Sequence, residues 1–135
     1  TYKLVILKFQ KDSWLEVSSH NVGLPALEIR KPECTGCLTK LGQQHKTWQK
    51  RYCVLKDACI YYYKSMNSFS AKGVVHLHGY KIDATGYNNK KFSFVLHPPE
   101  ESMRTFYFCA DNQTDKQRWV ECLIRSIQRW IRVDD

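Results

Sequence analysis

The sequence predicts a mainly β domain, seven strands in an antiparallel barrel or sandwich, capped by one C-terminal amphipathic α-helix. Three observations predict it. From Cys34 onward, short runs rich in Tyr, Phe, Val, Ile and Cys alternate with clusters of Gly, Asn, Ser and Pro. Near residue 112 the apolar period changes from two to three and four residues. Finally, 135 residues are enough for one domain with a proper core, and not for two of ordinary size.

Taken in order, residues 1–33 are the least regular. Tyr2-Lys3-Leu4-Val5-Ile6-Leu7-Lys8-Phe9 reads as a strand and Trp14-Leu15-Glu16-Val17 as a second, short one, before Gly23, Pro25 and Pro32 break regular structure. This segment is an N-terminal extension, either an extra hairpin or the end of a preceding domain. Strands then fall at about 34–41, 48–56, 58–65, 72–77, 79–84, 91–97 and 103–110. Asp57-Ala58 makes a tight turn between the second and third, and His97-Pro98-Pro99-Glu100-Glu101-Ser102 a longer one between the last two. In the third strand, alternation turns Tyr61 and Tyr63 toward the core. The helix follows from Trp119, Val120, Leu123, Ile124, Ile127, Trp130 and Ile131 on one side and Arg118, Arg125, Arg129 and Arg132 on the other. Thr114-Asp115-Lys116-Gln117 has the form of a capping box, with Asn112 a competing start. Its role is to close an open end of the barrel.

Charge is concentrated rather than spread. Of the net +8, residues 34–72 contribute +6, with 7 basic groups against Asp57 alone, and the flanks contribute +1 each. Such a local field points to a phosphate-rich partner and steers its approach. The first hairpin is its centre. Lys40 ends strand 1 with the parity of Leu38, the Gly42 to Thr47 loop carries Lys46, and in strand 2 Gln49 and Arg51 share the face opposite Trp48, Lys50 and Tyr52. Lys40, Lys46 and Arg51 can therefore converge on one multiply charged ligand.

Other chemistries find little support. The six cysteines sit mostly inside strand or helix patterns as small core residues, which fits a reducing compartment. Cys34-Thr35-Gly36-Cys37 has the spacing of zinc knuckles and redox pairs, but a single pair is a weak signal, and no metal or cofactor is expected. There is no Gly-rich nucleotide loop and no nucleophile paired with a base, so the chain is expected not to be an enzyme. Aromatic residues alternate as core positions and offer no stacking platform for nucleic acid. No run of about 18 apolar residues occurs. The first residue is Thr1, and the expectation is a monomeric, cytoplasmic piece of a larger protein.

Gly36-Cys37-Leu38-Thr39-Lys40, Trp48-Gln49-Lys50-Arg51-Tyr52-Cys53-Val54-Leu55 and Asp115-Lys116-Gln117-Arg118-Trp119-Val120, in this order and spacing, resemble the pleckstrin homology (PH) domain. The resemblance covers residues 34–131, leaving 1–33 as the extension and 132–135 as a tail. It implies a PH-type barrel in which Trp119 packs against the sheet. The hairpin is most similar to cytohesin-type members, which bind phosphoinositides, and that similarity implies a headgroup site at Lys40, Lys46 and Arg51, with Tyr62 as a phosphate-contacting tyrosine and Lys72 as a further basic ligand. Gln49 departs from the pattern, an amide where strong binders carry Lys or Arg. The function implied is a non-catalytic module that recruits a larger signalling protein to the cytoplasmic face of a membrane through phosphoinositides or other anionic headgroups. The alternative is a scaffold of the same fold that binds a protein partner.

Overall fold

A computed structural model of the chain describes residues 15–130. Residues 15–22 form helix α1, and a short 3-10 turn follows at Ala26–Glu28. Seven strands come next: β1 (Cys34–Leu41), β2 (Trp48–Lys56), β3 (Cys59–Tyr63), β4 (Gly73–His76), β5 (Lys81–Asp83), β6 (Ser93–His97) and β7 (Phe106–Cys109). Helix α2 (Gln113–Gln128) ends the described chain. The strands make one antiparallel sheet in the order β4-β3-β2-β1-β7-β6-β5, as the period-two pattern predicts. Strands β3 to β7 are shorter than expected because their flanking residues belong to the loops.

Two meanders build this sheet. Strands β1 to β4 pair with their sequence neighbours, as do β5 to β7, and only β1 with β7 joins the halves, through Thr39 opposite Cys109 and Lys40 opposite Phe108. Between β2 and β3, Asp57 and Ala58 take φ of 49° and 58°, the left-handed pair of a type I′ hairpin turn. The inward face buries Leu38, Cys53, Leu55, Ile60, Val75, Phe94, Leu96 and Phe108 with Trp119, Leu123 and Ile127 of α2.

Helix α2 is capped two positions before Thr114 of the predicted capping box, at the competing start. Asn112 is its N-cap, its side-chain oxygen accepting from the Asp115 N–H at 2.8 Å. Trp119 is fully buried in the core, whereas Ile124, expected on the buried stripe, is exposed. Ser126 takes a buried place instead. Its hydroxyl accepts from the Ala58 N–H at 2.8 Å and donates to the Glu33 carboxylate, tying the helix to the β2–β3 turn. Nor is the arginine face simply solvated. Arg118 donates to the Thr35 carbonyl at 3.1 Å, and Arg129 pairs with Glu33 and with Asp57, the latter at 3.4 Å. Ile131 and Arg132 lie outside the described residues.

The N-terminal segment corrects the sequence reading most. Residues 15–17 of the expected Trp14–Val17 strand are helical, and that four-residue alternation was too short to distinguish a strand from one turn of helix. Trp14 and the strand expected at Tyr2–Phe9 lie outside the described residues. Ser19 Oγ donates to the Leu15 carbonyl at 2.7 Å within α1, and the helix closes through Gly23 N–H to the His20 carbonyl at 3.1 Å. The following chain lies on the outer face of the sheet. There Ala26 and Ile29 are buried with Val54, Cys59, Tyr61 and Tyr63 in a second cluster. Tyr61 and Tyr63 are thus buried as expected, but against this cover rather than in the barrel core. Tyr63 Oη donates to the Leu24 carbonyl at 2.8 Å, and Asn21 Nδ2 donates to Tyr61 Oη at 3.2 Å.

Candidate anion-binding site

The antiparallel registers put the β1–β2, β3–β4 and β6–β7 loops at one end of the barrel, away from α2. Alternation then decides which side chains face its mouth. Leu38 is in the core, so Lys40 follows it inward, and Lys40 stands opposite Gln49 while Leu38 stands opposite Arg51. Tyr62 takes the inward parity of Ile60 and packs on the main core from its rim.

Lys40 is the centre of the arrangement. It is only 9% exposed, with its ammonium 4.9 Å from the centre of the Tyr62 ring and 6.0 Å from that of Phe106. Burial, reinforced by the positive charges of Arg104 and Arg51, lowers its pKa from 10.5 to about 8. Arg104 also lies over Phe106, its guanidinium 4.9 Å from the ring centre. Three cations therefore share one end of the barrel, and among the described residues none of the three forms an ion pair. Two aromatic rings hold the buried ammonium in place of a carboxylate, through the attraction of a cation for a ring face.

Gln49 gives the second strand its role. Its Oε1 accepts from Arg51 Nη2 at 2.5 Å, and Arg51 Nη1 also donates to the Lys50 carbonyl at 3.2 Å, so the guanidinium is anchored along its own strand. An amide at this position orients Arg51 without competing for an anion. Lys50, on the outer face, is already neutralised by Asp111 at 3.1 Å. The loop above closes through Gly42 N–H to the Thr47 carbonyl at 3.0 Å. A Cβ at Gly42 would stand 2.7 Å from the His45 carbonyl oxygen, so this close approach requires glycine. At Gly73 a Cβ would stand 2.4 Å from Tyr62 Oη, so a larger residue there would displace the Tyr62 ring.

Of the residues the sequence singled out, Lys40, Arg51 and Tyr62 meet at the mouth. Lys46 is exposed in the β1–β2 loop. Lys72 donates its backbone N–H to the Tyr62 carbonyl at 2.8 Å, but its position continues the register opposite Tyr63, toward the outer face, and its side chain is exposed. Sequence reasoning missed Arg104. Stepping back by twos from buried Phe108 through Phe106 reaches it inside the strand expected at 103–110, a signal that was legible.

Cys34 is buried and Cys37 exposed, on opposite faces of β1 as their odd spacing dictates. Burial pushes the Cys53 thiol up to about 12, which leaves it protonated and inert.

Comparison with known proteins agrees with this architecture. A family model described as PH domain matches residues 32–128. Pleckstrin homology domain-containing protein 1 of Arabidopsis thaliana is 33% identical over 104 residues, covering 71% of this chain and 69% of its own length. A probable serine/threonine-protein kinase of Dictyostelium discoideum is 33% identical over 76% of this chain, and human connector enhancer of kinase suppressor of ras 1 is 29% identical over 76%. This chain spans 5% of that kinase and 15% of the connector enhancer. Among solved structures, the C-terminal PH domain of pleckstrin in complex with an inositol pentakisphosphate superposes with a TM-score of 0.59 at 20% identity, over 69% of this chain and 95% of that one. The PH domain of human pleckstrin homology domain-containing family A member 5 does so with a TM-score of 0.63 at 25% identity, over 80% and 84%. With the sheet order, the capping helix around Trp119 and a family match across all seven strands and α2, the chain belongs to the PH domain family, whose fold is a non-catalytic lipid- or protein-interaction module.

Proposed function

We propose that this domain binds phosphoinositides, or other anionic headgroups, at the barrel mouth and thereby recruits a larger intracellular signalling protein to the cytoplasmic face of a membrane. The observation that carries the reading is the unpaired cationic cluster of Lys40, Arg51 and Arg104, with Lys40 buried and no ion pair to any of them among the described residues. Three positive charges gathered at one end repel one another, and a multiply charged phosphate relieves that repulsion. Guanidinium groups offer forked donors to phosphate oxygens, and the ammonium adds a charge-assisted bond. The cytohesin-type resemblance, which assigns headgroup contacts to Lys40, Arg51 and Tyr62, supports the same reading. Lys46 and Lys72 border the mouth and add long-range attraction, worth about 1 kcal/mol per cation close to an anionic surface.

Arg51 is the probe. Arg51→Ala is expected to weaken binding to phosphoinositide vesicles by about tenfold or more, the equivalent of ~1.5–3 kcal/mol for charged hydrogen bonds, without unfolding the domain. The control is Arg125→Ala, an exposed cation of equal charge on α2. Lys116 is less suitable because its ammonium donates to the Ala84 carbonyl at 2.6 Å. Equal, small losses in both variants would mean general charge attraction with no headgroup site. Absence of binding by the parent domain at low salt would favour the protein-scaffold reading.

A further inference from the structure

The β3–β4 loop, residues 64–72, carries the most exposed large apolar side chain among the described residues. Phe69 is 90% exposed and Met66 49%. Neither exposure comes from an unanchored backbone. Ser65 N–H donates to Ser68 Oγ at 3.1 Å, and Ser68 N–H returns a bond to the Ser65 carbonyl at 3.2 Å. On the far side of Phe69, Ala71 N–H donates to the Val22 carbonyl at 2.9 Å and Lys72 N–H to the Tyr62 carbonyl at 2.8 Å. The loop is thus pinned before and after Phe69, and it presents the ring outward from the same end of the barrel as the cationic mouth.

Charge around the loop is of one sign. Lys64 and Lys72 flank it, and no acidic residue occurs anywhere from Ala58 to Ile82. An apolar tip ringed by cations suits the boundary between headgroups and acyl chains of an anionic bilayer, where a Phe ring gains by leaving water while lysines stay among the phosphates. A Phe held this way in water is unfavourable unless something covers it.

We propose that the β3–β4 loop is a membrane-inserting element, Phe69 and Met66 entering the bilayer interface beside the headgroup that occupies the mouth. The proposal rests on the headgroup reading for its orientation, but it concerns different residues and a different force. Two ligands separate the two ideas: phosphatidylcholine vesicles containing phosphatidylserine and a phosphatidylinositol bisphosphate, and free inositol hexakisphosphate, which has charge but no acyl chains.

Phe69→Ser is expected to weaken vesicle binding by about tenfold, with inositol hexakisphosphate binding held within about twofold and the melting temperature unchanged, since the ring touches little of the fold. Phe69→Trp, an interfacial aromatic, is expected to retain vesicle binding. Arg51→Ala is expected to lose both ligands. If Phe69→Ser binds vesicles like the parent while Arg51→Ala does not, insertion is wrong and the headgroup site stands. If Phe69→Ser loses both ligands in equal measure, its effect runs through the mouth, and insertion is again wrong. If the parent binds vesicles but not the free inositol phosphate and Phe69→Ser still loses the vesicles, insertion stands and the headgroup site falls. A parent domain that binds neither ligand overturns both.

Discussion

Lys40 carries the sharpest residue-level consequence. A lysine in the unfolded chain keeps its proton to about pH 10.5, whereas in the folded domain burial and the neighbouring Arg104 and Arg51 let it go from about 8. The folded state therefore favours the neutral amine. The sign follows: Lys40 costs stability at all pH values below about 8, and that cost is relieved as the pH rises from about 8 toward 10.5. Anion binding runs the other way, because a phosphate needs the ammonium. Headgroup affinity is expected to fall from pH 8 upward, by at most about tenfold per pH unit for one proton, with proton uptake visible in calorimetry in buffers of different ionisation enthalpy. Lys40→Arg keeps the charge and is expected to flatten the dependence. A profile that falls identically in Lys40→Arg would place the titrating group elsewhere.

At the scale of elements, the two faces of β2 and β3 divide the labour of stability. Trp119 anchors α2 in the inner cluster, and Ile29 anchors the N-terminal cover over Tyr61 and Tyr63 on the outer one. Trp119→Ala is expected to cost about 3–5 kcal/mol and Ile29→Ala about 2–5 kcal/mol, measured by denaturant titration. The second number is the telling one, because an N-terminal appendage that merely rested on the sheet would lose almost nothing. How legible each element was follows from its length. The long strands β1 and β2 and the sixteen-residue α2 repeat their period often enough to be read directly. Residues 15–30 do not, since the helical residues 15–22 and a 3-10 turn give too few repeats, and the cover they provide is a tertiary fact. The three tyrosines of β3 did carry a trace of it: both faces of that strand are aromatic, which a strand with one wet face has no reason to be. At the mouth, Lys40 and Arg51 were legible from parity, and Tyr62 only from the family resemblance, because parity turned Tyr61 and Tyr63 inward in its place. Arg104 has the same parity inside the strand expected at 103–110, but it was passed over because it lies outside the charge-rich segment 34–72.

Across the whole molecule, the seam between β1 and β7 has a consequence in time. Each meander contains only neighbouring strands, so its hairpins close over short loops, but Thr39 must find Cys109 across the length of the chain. Pairings so distant in sequence are slow to form. Lys40, Arg51 and Tyr62 belong to the first meander, while Arg104 and Phe106 belong to the second, so the cationic mouth straddles the seam. Half a domain, however well formed, has half of these groups. In stopped-flow refolding from denaturant, a fluorescent polyanion is expected to bind with the rate of the slowest structural phase and to miss the earlier ones, so that during its own synthesis the chain acquires its affinity for anions last.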